Sequence, residues 1–295
     1  MSFRKEYLMS LAGTNLSGKS KAELTKLHNK ILKQGMHGIG FSPYEEGQEP
    51  GDHISEEQIR RRMKIIAPYT KWIRSFSCTE GNEMIPVIAR EFGLKTMVGA
   101  WLGKSEETNS KEIAKVIDLA NQGYADIVAV GNEVMYRKDL TEDKLLRHIE
   151  NVKSQVKGVP VGYVDAYYEF GNRPKITEAC DVILANCYPY WEGCSQEYSL
   201  LYMKDMFRRA LAAADGKKVI ISETGWPNVG QQFHGALASE ENAMKYFINT
   251  QLWSAEDDIE VFYFSSFDEA WKTSDEGDVG AYWGIWGKDE NLKFT

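Results

Sequence analysis

Two short apolar runs in this chain each lead into a glutamate. Residues 126–130 are followed by Gly131-Asn132-Glu133, and residues 219–222 by Glu223-Thr224-Gly225-Trp226-Pro227. Such an unbroken run suits a strand buried on both faces of a parallel sheet. Pro227 offers no N–H to a ladder, so the second strand must end there. Each acid therefore stands where a buried strand leaves its sheet. Two carboxyls so placed can divide the work, one held protonated as a proton donor and one ionised as a nucleophile, which suits glycoside hydrolysis. The alternative for each is an ordinary surface acid or strand-end cap.

The elements that would position these acids follow a regular beat. Strand-like runs fall at 38–44, 72–78, 96–102, 126–130, 159–164, 181–187, 219–222 and 261–267. Helical patterns fall at 20–33, 55–67, 83–92, 110–122, 140–156, 198–214 and 239–253, with a short helical link before the sixth strand. Ser55 followed by Gln58 reads as a helix start, and Gly93 and Gly123 read as helix stops. The repeat recurs at roughly thirty residues, the size of one βα unit. Eight such units predict an α/β fold, a single-domain (β/α)8 TIM barrel over residues 1–295 with 1–37 as a helical lead-in. In that fold the C-terminal strand ends carry the active site, and Glu133 and Glu223 would both lie there, on strands four and seven.

Composition narrows the function classes. The 295 residues are 43% hydrophobic and 26% charged, and the formal net charge is −8. Such an acidic chain does not suit duplex nucleic acid, which requires a basic face. No run is long enough to span a membrane, and residues 1–10 have no apolar core like that of a signal peptide. The expectation is a cytosolic protein, or a secreted one whose leader has been removed, and a monomer. The five histidines show no HExxH spacing, so no catalytic metal or other cofactor is expected. Cys78, Cys180, Cys187 and Cys194 fit no zinc spacing; a Cys187–Cys194 bridge and reduced thiols both remain open. No Gly-x-Ser-x-Gly elbow is present. Residues 13–20, Gly-Thr-Asn-Leu-Ser-Gly-Lys-Ser, match the phosphate-loop pattern in full. That pattern needs a preceding strand. Residues 7–11 could supply one, but we read Ser17 to Ser20 as the polar start of the first helix.

Val130-Gly131-Asn132-Glu133 and Ser222-Glu223-Thr224-Gly225-Trp226-Pro227 resemble the two signatures of family 17 glycoside hydrolases. Gly-Ile-Gly-Phe-Ser-Pro-Tyr ending at Tyr44, Ile73-Arg74-Ser-Phe, Gly99-Ala-Trp-Leu-Gly and Phe267-Asp-Glu-Ala-Trp-Lys272 support the resemblance. The closing stretch, Trp271 to Trp286, looks more like the microbial members than the plant endoglucanases. The resemblance implies retaining action on β-1,3-glucan, by hydrolysis or by glucanosyl transfer through the same residues, with a catalytically silent glucan-binding barrel as the rival from another class. It implies Glu133 as acid/base, Glu223 as nucleophile and Asn132 as a partner of the sugar 2-hydroxyl. Arg74 should sit near Glu223 and favour its charge, which would leave most of the carboxyl repulsion on Glu133 and raise the pair's second ionisation to roughly 6. Removing Arg74 should then raise the acid limb of the rate profile. Tyr188 should donate to Glu223, and Glu269 with Lys272 should form a sugar-binding pair at the rim. Tyr44, Trp101 and Trp226 are candidate stacking platforms, with core packing as the alternative for each.

Overall fold

In the computed structural model, which describes residues 13–295 apart from the side chain of Asp275, eight parallel strands close into a barrel in chain order. They are β1 Met36–Gly40, β2 Thr70–Arg74, β3 Lys95–Ala100, β4 Ile127–Asn132, β5 Val161–Ala166, β6 Val182–Asn186, β7 Val219–Thr224 and β8 Val261–Tyr263. The helices are α1 Lys21–Gln34, α2 Glu56–Ile66, α3 Met84–Glu91, α4 Glu106–Asn121, α5 Val134–Arg137, α6 Glu142–Gln155, α7 Glu169–Asn172, α8 Pro174–Ala179, α9 Ser199–Ala213, α10 Glu240–Glu256 and α11 Thr273–Glu276. The expected (β/α)8 barrel is the fold observed.

The helix starts follow from short polar side chains. Ser20, Ser55, Ser105, Thr141 and Ser239 each accept a hydrogen bond from a backbone N–H in the first turn of the helix they precede, which satisfies donors the helix itself leaves free. Ser105 starts α4 four residues before its apolar pattern becomes legible. Strand alternation produces two cores. Met97, Ile127, Ala129, Val164, Val182, Leu184, Ile220 and Phe262 fill the barrel interior. Their outward-facing neighbours, such as Val128, Tyr163 and Ile221, join the larger core beneath the helices.

Three expectations change. Strands one and two end at Gly40 and Arg74, earlier than read; inter-strand bonding runs on only to Phe41 and Ser75, and the residues beyond, Tyr44 and Cys78 among them, are buried in loops. The eighth strand is only three residues long; beyond it Ser265 and Ser266 bond to Trp283, Gly40, Ile285 and Trp286 instead. The first helix is more than a lead-in. Among the described residues no long helix follows β8, and α1 packs against α10 in the outer ring, with His28 seated between Phe247 and Phe294. Of the phosphate-loop residues, Ser20 serves as the N-cap of α1 in a capping box with Glu23. The strand considered at 7–11 and the start of the lead-in lie outside the described residues. All four cysteines are free thiols, so Cys187 and Cys194 are not bridged.

Candidate active site

The residues at the barrel mouth converge because the two glutamate-bearing strands are irregular at their C-terminal ends. Gly131 has φ +86°, a conformation that suits glycine. Glu133 follows with φ +51°, uncommon for a side chain of its kind and found often at functional sites. The register between β4 and β5 shifts between Ala129 and Asn132. On β7 the register shifts against both neighbours, between Ala185 and Asn186 of β6 and between Ile221 and Thr224. Such bulges re-aim side chains beside active sites. Gly225 is needed just beyond, since a Cβ there would strike the Phe264 carbonyl.

Glu223 is clamped on both oxygens. Arg74 donates to Oε1 at 2.5 Å and to the Ser222 carbonyl at 3.0 Å. Tyr188 donates its hydroxyl to Oε2 at 2.7 Å. The other Arg74 nitrogen donates to Asn132 Oδ1 at 2.7 Å. Arg74 is buried, with its guanidinium 4.4 Å over the Phe76 ring. Burial, and then the Glu223 carboxylate, push the Tyr188 phenol well above its ordinary range, so it stays a donor.

Glu133 has the opposite environment. Burial first, and the Glu223 charge second, push its carboxyl up to about 7. The largest cause is thus desolvation and not the carboxyl repulsion expected from the sequence. Asn186 Nδ2 donates to Glu133 Oε1 at 2.8 Å, and Ser222 Oγ donates to Asn186 Oδ1 at 2.8 Å, which fixes the amide's orientation. The two acids therefore differ as the chemistry requires: one carboxyl holds its proton near neutrality, the other is held by a cation and a phenol.

On the rim, Glu269 and Lys272 are ion-paired at 2.5 Å and mostly buried. Glu269 also accepts from the Tyr44 N–H at 3.3 Å. Tyr44 is largely buried, edge-on to Trp271. Trp101 is 36% exposed, with Arg137 stacked 4.4 Å over its ring. Trp226 is only 2% exposed. Its indole N–H donates to the Leu237 carbonyl at 2.9 Å, and it packs on Tyr190 and Tyr246. It offers no free face, which corrects its reading as a stacking platform.

The profile of the BtgE/BtgC glycoside hydrolase domain matches residues 38–284. The chain belongs to this family of glycoside hydrolases. A glucan 1,3-beta-glucosidase of Candida albicans is 28% identical over 263 residues, covering 79% of this chain and 84% of that protein. One from Saccharomyces cerevisiae is 26% identical over 270 residues, covering 82% and 85%. The crystal structure of a glycoside hydrolase family 17 beta-1,3-glucanosyltransferase from Rhizomucor miehei superposes with a TM-score of 0.79 at 28% identity, covering 88% of this chain and 96% of that one. These findings agree with the family 17 resemblance.

Within this glycoside hydrolase the sequence reading missed two residues at the mouth. Asn186 is the last residue of β6, two before Tyr188, and an amide at a strand end was the available signal. Glu276, on α11, is a third acid close to the pair. Burial pushes it up to about 7, Lys272 opposes that, and the Glu223 charge adds to it. Its position in a stretch rich in acids hid it. No helix among the described residues is long and apolar enough to cross a membrane.

Proposed function

We propose that the chain cleaves β-1,3-glucan with retention of anomeric configuration. Glu133 gives its proton to the glycosidic oxygen as that bond breaks, and Glu223 attacks the anomeric carbon to form a glycosyl-enzyme. Glu133, now ionised, takes the proton of the incoming hydroxyl as that oxygen displaces Glu223. The observation that carries this reading is the contrast between a Glu133 without a bonded cation, raised to about 7, and a Glu223 bonded to Arg74 and Tyr188. Asn132, held by Arg74, has donors to spare for a sugar hydroxyl. Trp101 offers a partly exposed ring, and the Tyr44 N–H bonds to the Glu269–Lys272 pair. The substrate class is supported by the names of the relatives.

Water as the incoming hydroxyl gives hydrolysis; a sugar gives transfer. The second outcome is favoured by the likeness to the Rhizomucor miehei transferase, which extends along 96% of that chain. Incubation with laminaritriose and laminaripentaose tests both. Shorter products alone indicate a hydrolase, and added longer products indicate a transferase. No turnover by folded protein would leave a glucan-binding barrel. Proton NMR during the first minutes should show the β-anomer forming first; an initial α-anomer rules out retention.

The raised Glu133 also sets a pH prediction. Its protonated form is required, and that form is lost as pH rises past about 7. The kcat/KM for laminaritriose should fall tenfold per pH unit above that point, with the apparent value belonging to the carboxyl pair. An alkaline limb below pH 5 or above pH 9, roughly two units from that point, would remove Glu133 from the acid role.

A further inference from the structure

We propose that Asp165, together with Tyr163, is the positioning residue for Glu133: it caps the backbone turn carrying that acid and sets a negative charge behind it. The inference rests on the reading of Glu133 as the proton donor.

Glu133 occupies the N-cap position of α5. A side chain there ordinarily accepts from the amides two or three residues on. Glu133 makes no such bond, since its carboxyl faces the mouth and Asn186. Asp165 caps the turn instead. Its Oδ2 accepts from the Met135 N–H at 3.3 Å and the Tyr136 N–H at 3.4 Å. The Tyr163 hydroxyl accepts from the Met135 N–H at 2.9 Å and donates to the same Asp165 oxygen. Asp165 Oδ1 accepts from the Ala166 N–H at 2.8 Å. Between them Val164 accepts the Glu133 N–H on its carbonyl at 2.8 Å. Three successive residues of β5 thus hold the amides of Glu133, Met135 and Tyr136, and with them the left-handed conformation of Glu133. Asp165 is 0% exposed. A buried acid in the outer core, behind the mouth, needs a reason beyond solubility.

The charges around the two groups define the sign of its electrical effect. Glu133 is faced by Glu223 from β7, Asp165 from β5, Arg137 from α5, and the polar ends of Asn186, the last residue of β6, and of Tyr188 just beyond it. Asp165 is faced by Tyr163, by Glu169 of α7, by the turn amides and by Tyr168. Asp165 and Glu223 disfavour charge on Glu133, and Arg137 and Asn186 favour it.

The test compares kcat/KM for laminaritriose, a poor leaving group, with that for a 2,4-dinitrophenyl β-laminaribioside, which needs no proton donor. Asp165→Asn keeps the shape and removes the charge. It should lose roughly 10- to 100-fold on laminaritriose, part of the roughly 10²–10⁴ that an acid supplies, and less than about threefold on the activated substrate. Its alkaline limb should move down by roughly one pH unit. Tyr163→Phe should repeat the pattern more weakly, and it decides the matter if Asp165→Asn does not fold. Glu133→Ala runs alongside. If Glu133→Ala discriminates between the substrates but both β5 variants lose equally on each, with the limb unmoved, Asp165 is only a strand-end cap and the inference falls alone. If Glu133→Ala itself fails to discriminate, the acid/base reading falls and the inference falls with it.

Discussion

Glu223→Ala should lower kcat by roughly 10⁴-fold or more on every β-glycoside, activated or not, because no other group can bond the anomeric carbon. Arg74 and Tyr188 hold both carboxylate oxygens in place. Glu133→Ala should differ in kind. It should lose roughly 10²–10⁴ on laminaritriose, yet spare the first step on a dinitrophenyl glycoside. Azide separates the two. With Glu133→Ala it should intercept the glycosyl-enzyme and give a β-glycosyl azide. With Glu223→Ala it should occupy the vacated space and give an α-glycosyl azide. A β-glycosyl azide from the Glu223 variant would mean that the two roles are reversed.

Arg74→Met should be the costliest change outside the two acids. Methionine fills the stem's volume but leaves the buried Glu223 carboxylate without its cation, and leaves Asn132 Oδ1 and the Ser222 carbonyl without a donor. Breaking a buried pair by removing one partner costs roughly 3–5 kcal/mol, which urea denaturation at pH 7 would register. The kcat/KM should fall by about 100-fold or more, since the nucleophile and the Asn132 contact are loosened together. A variant within about 1 kcal/mol of the parent, the value of an exposed pair, would show that Arg74 does not support the nucleophile.

Much of this was legible without coordinates, for identifiable reasons. Burial on both faces makes a barrel strand apolar throughout, so eight runs spaced by helical patterns announced the barrel. The acids at 133 and 223 stood out because an ionisable group directly after such a run has no packing role. Tyr188 could be assigned to a strand end by the same logic and Arg74 to the second strand, and the family signatures gave them partners. The rings could not be sorted. Trp101 and Trp226 look alike in sequence, yet one keeps an exposed face and the other is enclosed by Tyr190 and Tyr246. That difference depends on what crosses over each ring. Glu276 and Asn186 were missed because loop and strand-end polar residues are common, and only long-range contact distinguishes these two.

The sequence by itself determined the element order, the barrel and the two acids at its mouth, because periodicity and chain punctuation are local properties. Tertiary structure decided where the side chains point. Along β7, Ile220 faces the interior while Val219 and Ile221 face the helices, so strict alternation would turn Glu223 outward. The register shifts beside it, which arise only from pairing with β6 and β8, turn it to the mouth. Tertiary structure also decided which acid holds the proton. A glutamate carries the same intrinsic affinity at 133 and 223; both are drawn out of water, and what separates them is the Arg74 cation and Tyr188 phenol bonded to Glu223 alone, with the Glu223 charge beside Glu133.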